Sequence, residues 1–153
     1  MGAVPQDFTR ARHYFTQIAR QVWPRDPINP LQHQAQTPIK DENIPTGYAA
    51  ASAAYLGRMY LRGEGVKADP AMAKMWFERG VEYNDRECHN GLGIIWRDGL
   101  VPALKADLKK AMYHFTVASS QELAEAQVNL AKMHFGKSHC CTYSPVVMIV
   151  RTQ

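Results

Sequence analysis

The feature that most constrains this chain is an internal repeat with a period of 36 to 38 residues. Segment 52–63 matches segment 88–99 at an offset of 36, through small residues, a Leu-Gly pair, an aromatic residue and a closing glycine. A third copy at 126–137 follows at an offset of 38. Periods of this length are typical of arrays in which each unit buries its apolar face against its neighbours. The sequence therefore predicts a stack of similar units.

The segments between these copies also match one another. Residues 69–77 align with residues 107–115, and residues 7–15 fit the same frame. In each segment an aspartate is followed four residues later by alanine and four residues later again by phenylalanine, which is the spacing of one helical face. One unit is thus predicted to be helix A, a turn and helix B. The predicted fold class is all-α, an α-solenoid of helix-turn-helix repeats.

Individual positions of the frame have predictable physical roles. Gly57 and Gly93 each cost roughly 1 kcal/mol of helix propensity, so we expect them where two helices cross closely. Gly63 and Gly99 fall where helix A has to stop, and Asn84 is expected as a left-handed cap after a helix B. The aspartates are expected to cap the start of helix B. The residues predicted to form the repeat signature are Leu56, Gly57, Met59, Tyr60, Gly63, Gly65, Asp69, Ala73, Trp76, Phe77, Leu92, Gly93, Ile95, Trp96, Gly99, Asp107, Ala111, Phe115, Ala126, Leu130 and Ala131.

The frame divides the chain into six predicted parts. Five prolines between Trp23 and Gly47 exclude a continuous helix, so this stretch is predicted to be a surface insert. Long loops are either functional or disordered, and without a motif or charge run we expect disorder. The parts are 1–23, helix B of a leading partial repeat; 24–47, the proline-rich insert; 48–84, a complete repeat; 85–122, a repeat with a longer loop; 123–137, helix A of a truncated repeat; and 138–153, a disordered tail outside the frame.

The frame starts on a helix B and stops after a helix A. We therefore expect a chain that is truncated at both ends. Because a repeat buries its faces against its neighbours, and about three repeats are needed for an independent fold, we also expect marginal stability or self-association through the exposed ends of the solenoid.

Composition and motifs disfavour several functional classes. Hydrophobic residues make up 46% and charged residues 21%, which is typical of a globular domain. The net charge of +4 comes without a basic run of five or more residues, so no nucleic-acid partner is expected. No apolar stretch reaches the ~18 residues of a transmembrane helix, so no membrane span is expected.

No catalytic, cofactor or metal site is predicted. The sequence holds no Gly-x-Ser-x-Gly, phosphate-loop or His-Glu-x-x-His motif. His114 and His134 occupy aromatic positions of the frame, where packing accounts for them. Cys88 and His89 are neighbours that point about 100° apart on a helix, which makes a poor Cys–His dyad. The cysteines within residues 139–141 are adjacent and lack the spacing of zinc ligands.

One surface strip is a candidate for binding a partner. Tyr55, Arg58 and Arg62 are spaced three and four residues apart along helix A, which predicts a basic and aromatic strip on one face. In solenoids of paired helices, the concave surface lined by one helix of each pair often binds peptides. The alternative is a solvated face that contains one packed tyrosine.

The complete repeat resembles a known family. Residues 56–66, which contain Leu-Gly-x-Met-Tyr-x-x-Gly-x-Gly-Val, together with Asp69, Ala73 and the pair 76–77, resemble the Sel-1-like repeat, a relative of the tetratricopeptide repeat. The likeness covers roughly residues 7–137. It implies an α-solenoid that binds other proteins.

A closer resemblance is to the fungal adaptors of the HRD ubiquitin ligase, and it is carried by residues 11–24, the long insert and residues 55–65. This resemblance implies a location in the lumen of the endoplasmic reticulum. It also implies three partners: a RING-type membrane ubiquitin ligase, a substrate-recognising lectin and misfolded client proteins. Two other expectations stay open, namely a cytosolic Sel-1-like scaffold of a signalling or chitin-synthase complex, and an accessory domain of an enzyme.

Overall fold

The computed structural model describes residues 6–25 and 46–142, with side chains described as far as Gly136. Within these ranges the chain forms six helices and no strand. The helices are α1 (Phe8–Ala19), α2 (Thr46–Arg62), α3 (Pro70–Val81), α4 (Arg86–Asp98), α5 (Leu108–Ser120) and α6 (Ala124–Thr142). The predicted fold class, an all-α solenoid of helix pairs, is confirmed.

The helices pack largely in chain order. Helix α2 pairs with α3 and α4 pairs with α5, while α1 packs against α2 and α6 packs against α5. Helix α4 also contacts α3 and α2, which joins the two complete pairs into one stack. In the frame of the repeat, α2, α4 and α6 are therefore A helices, and α1, α3 and α5 are B helices.

Aspartate side chains start the B helices, as the sequence predicts. Asp7 accepts a hydrogen bond from the backbone N–H of Arg10, and Asp69 and Asp107 each accept two such bonds from the first turn of α3 and α5. Asp85 does the same at the start of α4, which is an A helix. These bonds satisfy N–H groups that have no partner within the helix.

The turn from helix A to helix B is closed by the same backbone bond in both complete pairs. The N–H of Asp69 donates to the carbonyl of Tyr60, and the N–H of Asp107 donates to the carbonyl of Trp96, each at 2.8 Å. The second turn is two residues longer than the first. Both turns therefore return the chain to the same point beside the end of helix A, despite their different lengths.

Residues in the left-handed backbone conformation follow several helices at the predicted positions. Gly63 after α2 has a φ of 73°, Gly99 after α4 has a φ of 60°, and Asn84 after α3 has a φ of 55°. Glycine adopts this conformation without strain, and asparagine tolerates it better than most residues. Glu122, between α5 and α6, has a φ of 61°, and nothing in the sequence signals it.

Two glycines of helix A allow a close crossing with helix B. A Cβ atom at Gly57 would lie 2.4 Å from the ring of Phe77, and one at Gly93 would lie 2.5 Å from the ring of Phe115. Gly91 of α4 also approaches the Phe77 ring, and a Cβ there would lie 2.4 Å from it. Phe77 is thus held between its own helix A and the next one, so it joins neighbouring repeats.

Two clusters of buried side chains lie along the described part of the stack. The first joins the turn after α1 to α2 and α3, and the second joins α2 and α3 to α4 and its following turn. The guanidinium of Arg79 lies 4.7 Å from the ring centroid of Trp76 and 5.9 Å from that of Trp23, at the edge of the first cluster. The first cluster contains Ala19, Val22, Trp23, Ala49, Ala53, Leu56 and Trp76. The second contains Ala54, Ala73, Phe77, Cys88, Leu92, Ile95 and Val101.

The predicted start of the tail at residue 138 is wrong, because α6 continues to Thr142. The sequence 137–142 contains no proline, and Gly136 is tolerated inside a helix at a cost of roughly 1 kcal/mol. Pro145 is the first strong helix breaker after it. The rest of the predicted tail, and most of the predicted insert, lie outside the described residues. Helix α2 begins at Thr46, within the stretch assigned to the insert.

Candidate interaction surfaces

The strip predicted on helix α2 begins with a packed tyrosine. The ring of Tyr55 stacks on Phe15 of α1, with centroids 4.6 Å apart and an interplanar angle of 7°. Tyr55 is still 49% exposed. The guanidinium of Arg58 lies 6.0 Å from the centroid of the same ring, at the outer limit of a cation–π contact. The structure therefore places Tyr55 and Arg58 together at the junction of α1 and α2.

Arg62, the third residue of the strip, lies at the end of α2 and faces an acidic neighbour. Its Nη1 atom is 3.7 Å from a carboxylate oxygen of Glu64, and both side chains are partly exposed. A surface ion pair of this kind contributes ~0–1 kcal/mol to stability. Because the carboxylate of Glu64 offsets part of the charge of Arg62, the strip is more positive at Arg58 than at Arg62.

A second cluster of basic and aromatic side chains lies where α3, α4 and α5 meet. Trp96 of α4 has the ammonium of Lys110 4.1 Å from its ring centroid and that of Lys74 5.9 Å from it. Lys74 also forms an ion pair with Glu78. Trp96 is half-buried, so this contact between α3, α4 and α5 is at the surface. Sequence reasoning assigned Trp96 to the repeat signature and missed the two lysines.

A polar network connects the A helices α4 and α6. The amide nitrogen of Asn129 donates to the amide oxygen of Asn90 at 3.0 Å, and Arg97 donates to the amide oxygen of Asn129 at 3.1 Å. Both asparagines are buried. Arg97 also forms two hydrogen bonds with Asp98, and this contact holds the pKa of the Asp98 carboxyl below its usual value. No pattern in the sequence predicted this network.

Two histidines meet between α4 and α5. Their Nδ1 atoms, on His89 and His114, are 3.1 Å apart, so one nitrogen donates a proton and the other accepts it. Burial lowers the pKa of both rings, and for His114 the neighbouring His89 and Lys110 contribute as well. In the frame of the repeat these residues correspond to Ala53 and Trp76. The small Ala53 and the large Trp76 of the first helix pair are thus replaced by two histidines of intermediate size in the second pair.

The residues of the predicted repeat signature fall into three groups by exposure. Leu56, Gly57, Met59, Ala73, Trp76, Phe77, Leu92, Gly93, Ile95, Ala111, Phe115 and Ala126 are buried. Tyr60, Asp69, Trp96, Gly99, Asp107 and Leu130 are half-buried. Gly63, Gly65 and Ala131 are exposed. The buried group lies between the helices, whereas the other two groups lie near the ends of α2 and α4, in the turns that follow them and on α6.

Within residues 6–25 and 46–136 the side chains form no grouping that suggests a bound metal ion. Among the described residues, no three His, Cys, Asp or Glu side chains come together as ligands. In the same part of the chain, no helix combines the length and the apolar character needed to cross a bilayer. Cys88 is buried against α2, where its Sγ lies 3.8 Å from the carbonyl oxygen of Ala50, and burial raises the pKa of its thiol.

Comparisons with known proteins agree with this architecture. The family model described as Sel1 repeat matches residues 1–22, 50–82, 86–123 and 124–138. An uncharacterized Sel1-like repeat-containing protein of Schizosaccharomyces pombe is 31% identical over 122 residues, which is 80% of this chain and 17% of that protein. The chain thus spans about a sixth of the length of this relative. The crystal structure of a Sel1 repeat protein from Oxalobacter formigenes aligns with a TM-score of 0.50 and 20% identity, over 55% of this chain and 34% of that one.

Proposed function

This chain belongs to the Sel1 repeat family, whose members are generally non-enzymatic scaffolds for protein interactions, and from this premise we propose that it is an adaptor that delivers misfolded proteins to a membrane ubiquitin ligase. The proposed partners are a RING-type membrane ligase, a substrate-recognising lectin and misfolded clients. The proposed location is the lumenal side of the endoplasmic reticulum. The proposal rests on the likeness of residues 11–24 and 55–65 to the fungal adaptors of the HRD ligase.

The observation that favours a binding role is the exposed junction of α1 and α2. Tyr55 is held in place by Phe15, so it offers a fixed aromatic surface without a further cost of ordering on binding. Arg58 adds a positive charge beside it. Aromatic residues and arginine are the residue types that contribute most to binding energy at protein interfaces. We assign the contact with a partner to Tyr55, Arg58 and Arg62.

The first experiment identifies the partners. The tagged 153-residue chain is incubated with extract of membranes enriched in endoplasmic reticulum, and the bound proteins are identified by mass spectrometry. Recovery of a RING-type membrane ligase together with lumenal lectins is the expected result. If only cytosolic or plasma-membrane proteins are recovered, the adaptor proposal fails, and a cytosolic scaffold of a signalling or chitin-synthase complex takes its place.

The second experiment tests the surface. Arg58→Glu combined with Arg62→Glu should reduce partner recovery about tenfold, because two favourable charges become repulsive at the interface. Lys105→Glu combined with Lys109→Glu changes the net charge equally at exposed positions near the α4–α5 turn, and is the matched control. Circular dichroism verifies that both variants are folded. Equal recovery with the two double variants would remove the strip on α2 from the proposal.

A further inference from the structure

Two lysines from different helices converge on the ring of Trp96. The ammonium of Lys110, on α5, lies 4.1 Å from the ring centroid, and that of Lys74, on α3, lies 5.9 Å from it. The side chain of Lys110 is 56% exposed, and Trp96 is half-buried, so a partner can reach both. These three residues, the Trp96 cluster, hold two positive charges beside one aromatic ring.

The packing of the repeat does not require either lysine. In the frame of the repeat, Lys110 corresponds to Met72 of α3. Lys74 corresponds to Met112 of α5. An unbranched apolar side chain therefore fits both positions of the solenoid. Because methionine fills the same positions in the other helix of each comparison, the two charges are available for a role other than packing.

Acidic neighbours offset these charges only in part. Lys74 forms an ion pair with Glu78, one turn later in α3. Lys110 lies 4.0 Å from one oxygen of Asp107, at the limit of an ion pair, and the other oxygen of Asp107 accepts the two backbone bonds that start α5. Ion pairs at the surface contribute little to stability. A carboxylate of a partner can therefore replace these contacts at a small cost.

Exposed leucines lie on both sides of the turn beside the Trp96 cluster. Leu100 lies in the turn after α4 and is 37% exposed, and Leu108 is the first residue of α5 and is 52% exposed. The N–H of Asp107, the residue before Leu108, donates to the carbonyl of Trp96 at 2.8 Å. Leu108 therefore lies next to the end of α4, and this surface combines positive charge, an aromatic ring and apolar side chains.

We infer that the Trp96 cluster binds an acidic segment of another protein, in which carboxylates flank apolar side chains. The carboxylates contact Lys74 and Lys110, and the apolar side chains pack on Trp96 and the neighbouring leucines. Complementary charges of this kind determine the specificity and register of protein interfaces. The site lies on α3, α4 and α5, apart from the strip on α2. It goes beyond the proposed adaptor function and does not depend on it.

An anionic membrane surface fits the Trp96 cluster less well. Basic surfaces that recognise anionic lipids typically contain about four to eight lysines or arginines. The cluster holds two lysines, and Glu78 and Asp107 offset part of their charge. A peptide needs fewer basic residues, because it brings its carboxylates into direct contact with individual ammonium groups, and charge-assisted hydrogen bonds of this kind are strong.

The experiment measures the binding of a fluorescein-labelled peptide with the repeating sequence Glu-Glu-Leu to the 153-residue chain, by fluorescence anisotropy. The wild-type chain should bind this peptide at least about tenfold more tightly than the same peptide with glutamine in place of glutamate. Lys74→Met combined with Lys110→Met introduces the residue that the frame holds at both positions. This double variant should raise the dissociation constant about tenfold, because two charged contacts are lost while the packing is kept.

Arg10→Met combined with Lys132→Met is the matched control. It also removes two positive charges, at exposed positions of α1 and α6 outside the cluster. At about 0.15 M salt, charges farther than about 8 Å from the peptide are largely screened, so the control should leave the dissociation constant within about twofold of the wild-type value. Circular dichroism verifies that both double variants are folded.

A reversal of charge provides a second test of the same site. Lys74→Glu combined with Lys110→Glu should bind a peptide with the repeating sequence Lys-Lys-Leu more tightly than the Glu-Glu-Leu peptide, because the charges of the site are then inverted. A folded variant that keeps the preference of the wild-type chain would show that the two lysines do not contact the peptide.

Other outcomes also overturn the inference. The wild-type chain would lack this site if it bound no Glu-Glu-Leu peptide at concentrations up to about 1 mM, or bound the glutamine peptide equally well. Equal losses in the methionine double variant and its control would show that the peptide responds to net charge and not to the Trp96 cluster. Binding to vesicles that contain phosphatidylserine, without binding to the peptide, would show that this surface recognises a membrane.

Discussion

At the scale of single residues, the two crossing glycines are the most constrained positions. Gly57 is buried, and the ring of Phe77 occupies the space of its missing side chain. Phe77 is itself fully buried between α2 and α4, so the ring has little room to move away. Close-packed interiors transmit such a clash to the neighbouring residues. Gly47, in the first turn of the same helix, has no atom of the described residues within 4 Å of its missing Cβ, apart from its chain neighbours and its own helix backbone.

We expect Gly57→Ala and Gly47→Ala to change stability in opposite directions. At Gly57 the added methyl group overpacks the core at a cost of about 1–3 kcal/mol, which exceeds the ~1 kcal/mol gained in helix propensity. At Gly47 the gain in helix propensity is unopposed, so the free energy of unfolding should rise by up to about 1 kcal/mol. Urea unfolding followed by circular dichroism measures both. A stabilised Gly57→Ala would contradict the close crossing of α2 and α3.

The histidine pair makes stability depend on pH. Burial, the neighbouring His89 and Lys110 together lower the pKa of His114 to about 4, from an ordinary value of 6.5. Between these values the unfolded chain binds more protons than the folded chain, so the free energy of unfolding falls as the pH drops from about 6.5 to about 4. We expect the free energy of unfolding to fall by about 1–2 kcal/mol. This is less than the full shift in the pKa of His114 implies, because solvent reaches the ring.

The control for this prediction comes from the preceding helix pair. His89→Ala combined with His114→Trp restores the residues found at the same positions of the frame, Ala53 and Trp76. The double variant should fold, and it should lose most of the decrease in stability between pH 6.5 and 4. Thermal melts at several pH values compare it with the wild-type chain. An identical pH dependence of the two proteins would show that the pair is not its source.

At the scale of helices, the aspartate caps define where each B helix begins. The side chain of Asp107 accepts bonds from the N–H groups of Lys109 and Lys110. Asp107→Ala should lower the free energy of unfolding by about 1 kcal/mol, whereas Asp107→Asn retains an accepting oxygen and should cost only a few tenths of that amount. Chemical denaturation distinguishes the two. Equal losses would indicate that the charge of Asp107, and not its bonds to the backbone, stabilises α5.

The sequence predicted these helices well because the signals that start and stop them are local. An aspartate before a helix and a left-handed Gly63 or Gly99 after one act within a single turn. The end of α6 was placed too early, because the repeat frame stops near Gly136 while the helix does not. A helix continues until a helix-breaking residue stops it, and the repeat pattern does not indicate where such a residue lies.

At the scale of the whole molecule, the asparagine network couples two helices that are not consecutive in the chain. Asn129 binds both Asn90 and Arg97, and so ties α6 to α4 across the stack. Asn129→Ala leaves the buried amide of Asn90 without this partner, at a cost of about 1–3 kcal/mol. We expect faster amide hydrogen exchange throughout α6, measured by mass spectrometry.

The matched control is the double variant in which both asparagines become alanine. Alanine stands at the position of Asn90 in the preceding repeat, as Ala54, so the frame tolerates it. The double variant should be destabilised by less than the sum of the single variants, because neither buried amide is left behind. Additive losses would mean that Asn90 and Asn129 contribute independently.

The contacts that give this solenoid its individual surface could not be predicted from the sequence. His89 and His114 are 25 positions apart, and Asn90 and Asn129 are 39 positions apart. Whether such pairs meet depends on how each helix is rotated about its axis, which the repeat period does not fix. One signal was available: two histidines replace Ala53 and Trp76 in the frame, a paired exchange that suggests contact. Tyr55 was predicted on the surface, but its stacking on Phe15 was not.

The anchoring of Trp23 has a practical consequence. Trp23 follows α1, Ala49 lies in the first turn of α2, and both are part of the first buried cluster. Helix α1 is therefore held against α2 by side-chain packing at both sides of the connection, and this packing can serve as the interface between two separate pieces. We expect that the chain can be produced as two separate pieces, divided between residues 26 and 45, which reassemble when mixed. The change in tryptophan fluorescence on mixing would report on the formation of the cluster that contains Trp23 and Trp76.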